Sequence, residues 1–400
     1  LPSFAQLVGE ETLLDKLTPI SAKDLLGRDE VADTMQPSTR TYRNKTVMIT
    51  GAGGTIGSEL SLQVWAHRPA KIVLFEQSEL ALYNIDNELR QMVEVSSVEI
   101  VTILGSVTDP RKVRKVLTEH NVDVVLHAAA YKHVPLVQTN PLAGIVNNVF
   151  GTQTLAQEAA KAGVERFILI SSDKAVRPTN VMGATKRLAE FVIQDIARRS
   201  REDDGPIFTM VRFGNVLGSS GSVIPLFQDQ INRGGPVTVT HPDVSRYFMT
   251  VQEAVRLVLQ TGRMATGGEV FVLDMGKPVP ILDLARQVVE NSGYSVRDEN
   301  NPDGDIDIVF TGLRDGEKMV EELTLTDDII GTRHPQIMCA HEDGLSEAQI
   351  ADALRRLREA FIANDEDLAR EEVMRWVEPF DKDVVPDLPE KPAGAVLAGE

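Results

Sequence analysis

Thr50-Gly51-Ala52-Gly53-Gly54-Thr55-Ile56-Gly57 decides how this chain is read. Ahead of it, residues 45–50 form a short apolar run of the kind that makes a strand buried on both faces of a parallel sheet. Behind it a helix is expected from about Ser58. Gly51 allows the tight turn, Gly54 lets backbone approach a pyrophosphate, and Gly57 permits close packing of helix on strand. Gly53, Thr55 and Ile56 complete the candidate loop, and the helix N-terminus offers donors to phosphate oxygens. A second strand over 71–76 ends in Glu76, 25 residues after Gly51. A carboxylate there can hold the adenosine ribose hydroxyls and would repel a 2′-phosphate, so the expected cofactor is NAD rather than NADP.

Working outward, strands are expected over 99–104, 122–127 and 166–171, with helical stretches near 110–119 and 141–162 between them. This alternation predicts an α/β fold, a doubly wound parallel sheet of Rossmann type with a smaller second lobe. Ser106 and Val107 follow the third strand, where an adenine edge would lie; Ala128, Ala129 and Ala130 end the fourth, where small side chains let a flat ring meet the backbone. Residues 1–43 read as a lead-in linker and 44–213 as the NAD-binding domain, to which 247–275 is expected to return. Glycine and proline become frequent after Pro206, so 214–340 is assigned to the substrate lobe. Residues 341–400 are expected to form a charged helical extension and an acidic, mobile tail.

The composition narrows the partners. The chain has 400 residues, 42% hydrophobic, with 41 basic and 59 acidic side chains and a formal net charge of −18. An acidic surface repels phosphate backbones and anionic headgroups, so neither nucleic acid nor direct membrane contact is expected. A single cysteine, Cys339, allows no internal disulfide, and the histidines lack metal-ligand spacing, so no metal is expected.

The chemistry concentrates in Ser171-Ser172-Asp173-Lys174-Ala175, at the end of the fifth strand, and in Met182-Gly183-Ala184-Thr185-Lys186. Ligands of such sheets bind at strand ends, and Met182 and Lys186, four apart, share one face of a helix. Met182 stands where short-chain dehydrogenases place a tyrosine, and a thioether cannot carry a proton. Further segments include Ala129-Ala130-Tyr131-Lys132-His133-Val134-Pro135, Asn147-Asn148-Val149-Phe150-Gly151-Thr152 and Arg212-Phe213-Gly214-Asn215-Val216-Leu217-Gly218. Arg246-Tyr247-Phe248-Met249-Thr250 and Gly312-Leu313-Arg314-Asp315-Gly316-Glu317-Lys318 follow. On these residues the chain resembles the bacterial UDP-N-acetylglucosamine 4,6-dehydratases of polysaccharide biosynthesis (CapD-like proteins), in the extended short-chain dehydrogenase/reductase superfamily. The methionine, with the lead-in Asp24-Leu25-Leu26-Gly27-Arg28, is similar to the membrane-anchored branch. Two positions depart from many relatives: Ser172 replaces a threonine and Gln138 a glutamate.

The resemblance implies a lyase in which NAD oxidises C4 of the hexose, water leaves across C5–C6, and hydride returns to C6. Ser172 would hydrogen-bond the C4 hydroxyl, Asp173 would protonate the departing C6 hydroxyl, and Lys174 would take the C5 proton. Lys186 would hold the nicotinamide ribose, with Ser171 also on the cofactor side. For the UDP-sugar, Arg246 and Arg314 are candidates for the pyrophosphate, Asn215 for an amide contact and Glu317 for a ribose or base. Ser222, Val223 and Thr240 join them. His133 stays open between a substrate contact and a packed core histidine. A nucleotide-sugar epimerase and a non-catalytic NAD-binding sensor or scaffold are the rival readings. A homo-oligomer, and a cytoplasmic domain of an inner-membrane-anchored parent protein, are also expected.

Overall fold

Short runs rich in valine, isoleucine and leucine build the centre of the molecule, because each is fully buried and too short to be a stable helix. The computed structural model describes residues 39–92, 98–202, 205–219, 221–325, 329–342 and 344–377. In chain order, β1 (Thr46–Thr50), α1 (Thr55–Ala66), β2 (Lys71–Glu76), α2 (Glu79–Met92), β3 (Glu99–Leu104), α3 (Pro110–Glu119) and β4 (Val124–His127) alternate. Two short helices and a π-helical turn at Val146–Phe150 lead into α4 (Gly151–Ala162). Then come β5 (Arg166–Ile170), α5 (Val181–Glu202) and β6 (Ile207–Arg212). Each of these strands pairs in parallel with its neighbour in the order β3-β2-β1-β4-β5-β6. This is the doubly wound, Rossmann-type sheet expected from the sequence.

The two-residue period of the strands divides the core. Val47, Ile49, Leu74, Leu126 and Ile168 pack on one face, while Met48, Val73, Phe75, Val125 and Phe167 pack on the other.

Beyond β6 the chain leaves the sheet. It forms β7 (Asn215–Val216), α6 (Val223–Asn232), β8 (Val237–Val239), β9 (Ser245–Arg246) and β10 (Phe248–Met249). It returns through α7 (Val251–Met264) and β11 (Val270–Leu273), which pairs in parallel with β6. A second excursion makes β12 (Val279–Pro280), α8 (Ile281–Asn291), β13 (Val296–Arg297) and β14 (Ile306–Phe310). The lobe has its own core, in which Phe227 and Ile231 of α6 meet Leu284 and Val288 of α8.

Two boundaries differ from the expected ones. β15 (Ile329–Gly331) and β16 (Ile337–Ala340), assigned above to the substrate lobe, join the main sheet, where β16 pairs antiparallel with β11. The pairing buries Ile337 and Ala340, a gain invisible in a segment read alone. Tyr42, assigned to the linker, is 2% exposed and donates its hydroxyl to the Leu259 carbonyl at 3.0 Å. The charged extension is two helices, α9 (Glu347–Ala363), with a Ser346 capping box, and α10 (Glu366–Arg375); they break at Asn364, which takes a left-handed conformation. The lead-in at 24–28 and the tail from 378 lie outside the described residues.

A buried ionic lattice ties α5, β6 and the end of β16 together. Arg212, 0% exposed, donates from Nε and Nη2 to the two oxygens of Glu190 at 2.7 Å each, and from Nη1 to Glu342 at 2.6 Å. Arg187 bridges the same two carboxylates, and Ser171 Oγ donates to Glu190 at 2.6 Å. Burial alone would raise the pKa of Glu190, but the Arg212 and Arg187 charges and these hydrogen bonds outweigh it and hold the carboxyl below its usual range. A carboxyl held low in the folded state contributes stability that is present above about pH 4.5 and is lost as pH falls toward 2. Glu190→Ala, which leaves Arg212 half-paired, is expected to lower the unfolding free energy by about 3–5 kcal/mol in urea titrations. It should also flatten the acid limb of the stability curve.

Candidate functional site

The glycine turn brings the end of β1 against the end of β4. Gly51 has φ +64°, and a Cβ there would stand 2.8 Å from the Ala129 nitrogen and Cα. Only glycine satisfies both demands. The first residue of α1 follows Gly54, which supplies no side-chain cap, so amides of the first helical turn have no side-chain partner from that residue. The cleft beyond is walled by Gly51, Gly53, Gly54, Glu76, Ser106, Val107, Ala128, Ala129 and Ala130, all expected from sequence, and by Asn147. Thr55 and Ile56, expected there too, begin α1 and are not among the residues that wall the cleft. Glu76 accepts from the Gln77 and Ser78 amides at 2.9 Å on one oxygen and from Gly53 at 3.2 Å on the other. These bonds fix the carboxylate at the cleft wall and leave lone pairs for a diol.

The strand that leads to the candidate catalytic cluster, β5, ends at Ile170, one residue before Ser171. Ser172 caps a 3₁₀ turn, Asp173–Ala175, and its hydroxyl donates to Asp173 Oδ1 at 2.7 Å. Lys174 Nζ donates to the same oxygen at 3.0 Å and to the Asn215 side-chain oxygen at 3.2 Å. Asp173 is 0% exposed, and its Oδ2 is buried with no hydrogen-bond partner among the described residues. The three side chains expected to work on the hexose, with Asn215, expected to contact the sugar nucleotide, are thus one connected group with one acceptor that has no partner among the described residues. The Asn215 side-chain oxygen accepts from Lys174, which leaves its amide N–H groups for the expected contact.

Helix α5 lies unusually close to this turn. A Cβ on Gly183 would fall 2.3 Å from the Lys174 carbonyl oxygen, so any other residue would push the helix away. Met182, one turn before Lys186, is buried in the main core. Lys186 donates to the Ile170 carbonyl at 2.6 Å, and its burial lowers the amine to about 8 against an opposing pull from Glu190. Ser171 was expected at the cofactor; its hydroxyl donates to Glu190, and neither it nor Lys186 walls the part of the cleft beside the glycine turn.

Asparagines missed by the residue-level reading brace the region. Asn148, in the π-helical turn, accepts from the Tyr131 amide at 2.8 Å and donates to the Tyr131 carbonyl and the Thr185 hydroxyl. Single π-turns within helices recur at functional sites, but the Asn147-Asn148 pair carries no periodicity that would betray one.

The lobe residues form a second group. Arg246 Nη2 donates to Glu317 at 2.9 Å, and its Nη1 to the Ser245 and Met319 carbonyls. Thr240 shares the same Glu317 oxygen at 3.1 Å, while the other oxygen accepts from the Arg314 amide at 3.2 Å. Arg246 therefore has protein acceptors for part of its fork, and Arg314 keeps an exposed guanidinium. Ser222 precedes Val223 as the first residue outside α6, and its buried hydroxyl has no partner among the described residues. His133 is exposed beside Gly221, which excludes the core-packing alternative.

The family model described as "Polysaccharide biosynthesis protein" matches residues 47–342. The chain is 47% identical over 336 residues to the capsular polysaccharide biosynthesis protein CapD of Staphylococcus aureus, covering 84% of this chain and 54% of that protein. It thus spans about half the length of that relative. It is 32% identical to a UDP-glucose 4-epimerase of Rickettsia canadensis (72% of this chain, 80% of that one). It is 29% identical to an inverting UDP-N-acetylglucosamine 4,6-dehydratase of Campylobacter jejuni (72% and 79%). Among solved structures, Pen from Bacillus thuringiensis is similar at a TM-score of 0.67 and 32% identity, covering 79% of this chain and 98% of that one.

His127, at the end of β4, sits between the Thr50 hydroxyl at 2.7 Å and the Thr152 hydroxyl at 2.9 Å. Burial first, and the Lys186 charge second, lower its imidazole to about 3. The folded state therefore resists a proton that the unfolded chain accepts near pH 6.5, so stability falls as pH drops through that window toward 3. His127→Gln is expected to lose this slope in denaturation series run between pH 7 and 4. The wild-type imidazole should show neutral-form NMR shifts throughout.

Proposed function

The chain belongs to the polysaccharide biosynthesis protein family, and from that premise we propose that it is an NAD-dependent enzyme of extended short-chain dehydrogenase type acting on nucleotide sugars. Its reaction is 4,6-dehydration of UDP-N-acetylglucosamine, for bacterial capsule or related surface glycans. The observation that carries this reading is the connected Ser172–Asp173–Lys174 cluster just past the end of β5. An enzyme that only oxidises and re-reduces C4 has no use for an enclosed carboxyl joined to an amine.

The cleft fits the cofactor: Gly51 opens it to the Ala129 backbone, Glu76 presents a fixed carboxylate, and α1 directs its N-terminus there. When bound, NAD supplies the reversible hydride acceptor for C4 and donor for C6. The chain's own residues do the rest. Ser172 orients the C4 hydroxyl. Lys174 takes the C5 proton once the neighbouring ketone has acidified it, and later returns it. Asp173 protonates the departing C6 hydroxyl through Oδ2. Lys186 orients the nicotinamide ribose, and Arg246, Arg314, Asn215 and Glu317 hold the sugar nucleotide, with Ser222, Val223, Thr240 and His133 around it. Each of these effects is positional or protonic, the part a protein adds to a hydride carrier.

A second reading, UDP-sugar 4-epimerase, is favoured by the relative of that name at 32% identity. Incubating the purified chain with UDP-N-acetylglucosamine in heavy water separates the two. A dehydratase gives a 4-keto-6-deoxy product with one deuterium at C5, whereas an epimerase gives a sugar that keeps its C6 hydroxyl. Purified protein should carry NAD and turn over without added oxidant. Asp173→Asn and Lys174→Met should each lower the rate by about 10²–10⁴-fold while leaving NAD content intact. Met182→Leu should keep most activity, because a thioether carries no proton.

A further inference from the structure

The first amides of a helix have no acceptor within it, and α5 finds partners for two of them in side chains. Asn180, just ahead of the helix, accepts from the Gly183 amide at 2.9 Å. Gln138, on the short helix Val134–Thr139, reaches across to accept from the Val181 amide at 3.0 Å. Both acceptors are side-chain amide oxygens, so each leaves an NH₂ group to give elsewhere. The Gln138 nitrogen donates to Asp315 Oδ2 at 3.2 Å, and the Asn180 nitrogen to the Gly316 carbonyl at 3.0 Å. The partners fix both orientations, since a main-chain N–H only donates and a carboxylate or carbonyl only accepts. Thr179 adds its hydroxyl to the Gly316 carbonyl at 2.7 Å, and a Cβ on Gly316 would fall 2.7 Å from the Asn180 Cβ. The lobe segment is therefore seated directly on the start of α5.

The bridged residues are flanked by side chains assigned above to the sugar nucleotide. Arg314 precedes Asp315, and Glu317 follows Gly316, where it accepts from the Arg314 amide, Thr240 and Arg246. On the other side, Val181 and Gly183 lie in the first turn of the helix that carries Lys186. A carboxylate in place of either amide would satisfy the helix N–H, and the positive end of the helix dipole would favour it. It would have no N–H to give Asp315 or Gly316. Holding both sides takes an amide, and two amides on neighbouring residues restrain the segment against sliding as well as tilting. A ligand then meets Arg314 and Glu317 already in place, so less ordering entropy opposes its binding.

We infer that Gln138 and Asn180 are positioning residues for the nucleotide end of the substrate: they fix the segment from Arg314 to Glu317 against α5. The inference rests on the reading above, in which Arg314 and Glu317 hold the sugar nucleotide. Gln138→Glu keeps the bond to Val181 and sets a second carboxylate against Asp315. In the double variant Q138E/D315N, donor and acceptor change places and the bridge is restored. Calorimetric titration of the NAD-saturated chain with UDP should show Q138E binding about 10-fold more weakly than wild type, and the double variant within about 2-fold of it. KM for UDP-N-acetylglucosamine should follow the same order, with kcat little changed. Hydrogen exchange over residues 312–318 should be faster in Q138E and return to the wild-type rate in the double variant. Asn180→Asp, which also keeps its helix bond, should weaken UDP binding in the same direction. Unchanged UDP affinity or exchange in Q138E, failure of D315N to rescue it, or a fall in kcat at unchanged KM would each overturn the assignment. A wild-type chain that binds no UDP, while exchange follows the expected order, would overturn instead the reading of Arg314 and Glu317 as nucleotide ligands.

Discussion

A guanidinium with no access to water governs the edge of the sheet where the candidate site lies. Arg212 cannot give up its charge, so the fold must surround it with acceptors, and Glu190 and Glu342 are the two that do so. Glu190 lies one turn beyond Lys186 on α5, and it also takes the hydroxyl of Ser171 at the start of the reactive turn. Glu342 closes the sheet just past β16. One lattice therefore sets the position of α5 against β5 and β6, and with it the separation between Lys186 and the Ser172–Asp173–Lys174 group. Removing an ion from such a lattice uncovers another, so its members are coupled and cannot be changed singly at small cost.

Much of this arrangement was legible because its determinants are local. A glycine turn flanked by a strand and a helix needs about a dozen residues to declare itself, and the cleft wall it predicts contains nine of the expected positions from Gly51 to Ala130. The candidate triad Ser172–Asp173–Lys174 is likewise contiguous, and its internal hydrogen bonds follow from neighbours in sequence. What escaped the reading is long-range. Arg212 and Glu342 are 130 residues apart, Tyr42 and Leu259 are 217 apart, and no periodicity links either pair. The return of β15 and β16 to the main sheet failed for the same reason: their few apolar residues gain burial only from β11. The hydrogen bond from Ser171 to Glu190 is of the same kind, because the carboxylate lies on α5, 19 residues further on.

The arginines illustrate a different limit. Sequence marks Arg246 as a phosphate fork, yet the folded chain gives it Glu317 and two carbonyls. Those contacts stiffen the guanidinium and leave fewer N–H groups to offer, so that its value to an anion lies in orientation more than in free donors.

The path of the backbone has a mechanical meaning. The chain leaves the main sheet after β6, comes back for α7 and β11, leaves again, and comes back for β15 and β16. Four separate covalent tethers thus join the small lobe to the large one, where a hinged jaw would have one or two. Any swing must bend all four at once, and the docking of Gly316 and Lys318 onto the reactive turn resists it further. The lobe is built as a ledge instead of a lid. A ligand lying on it would meet a cradle whose shape is set before it arrives.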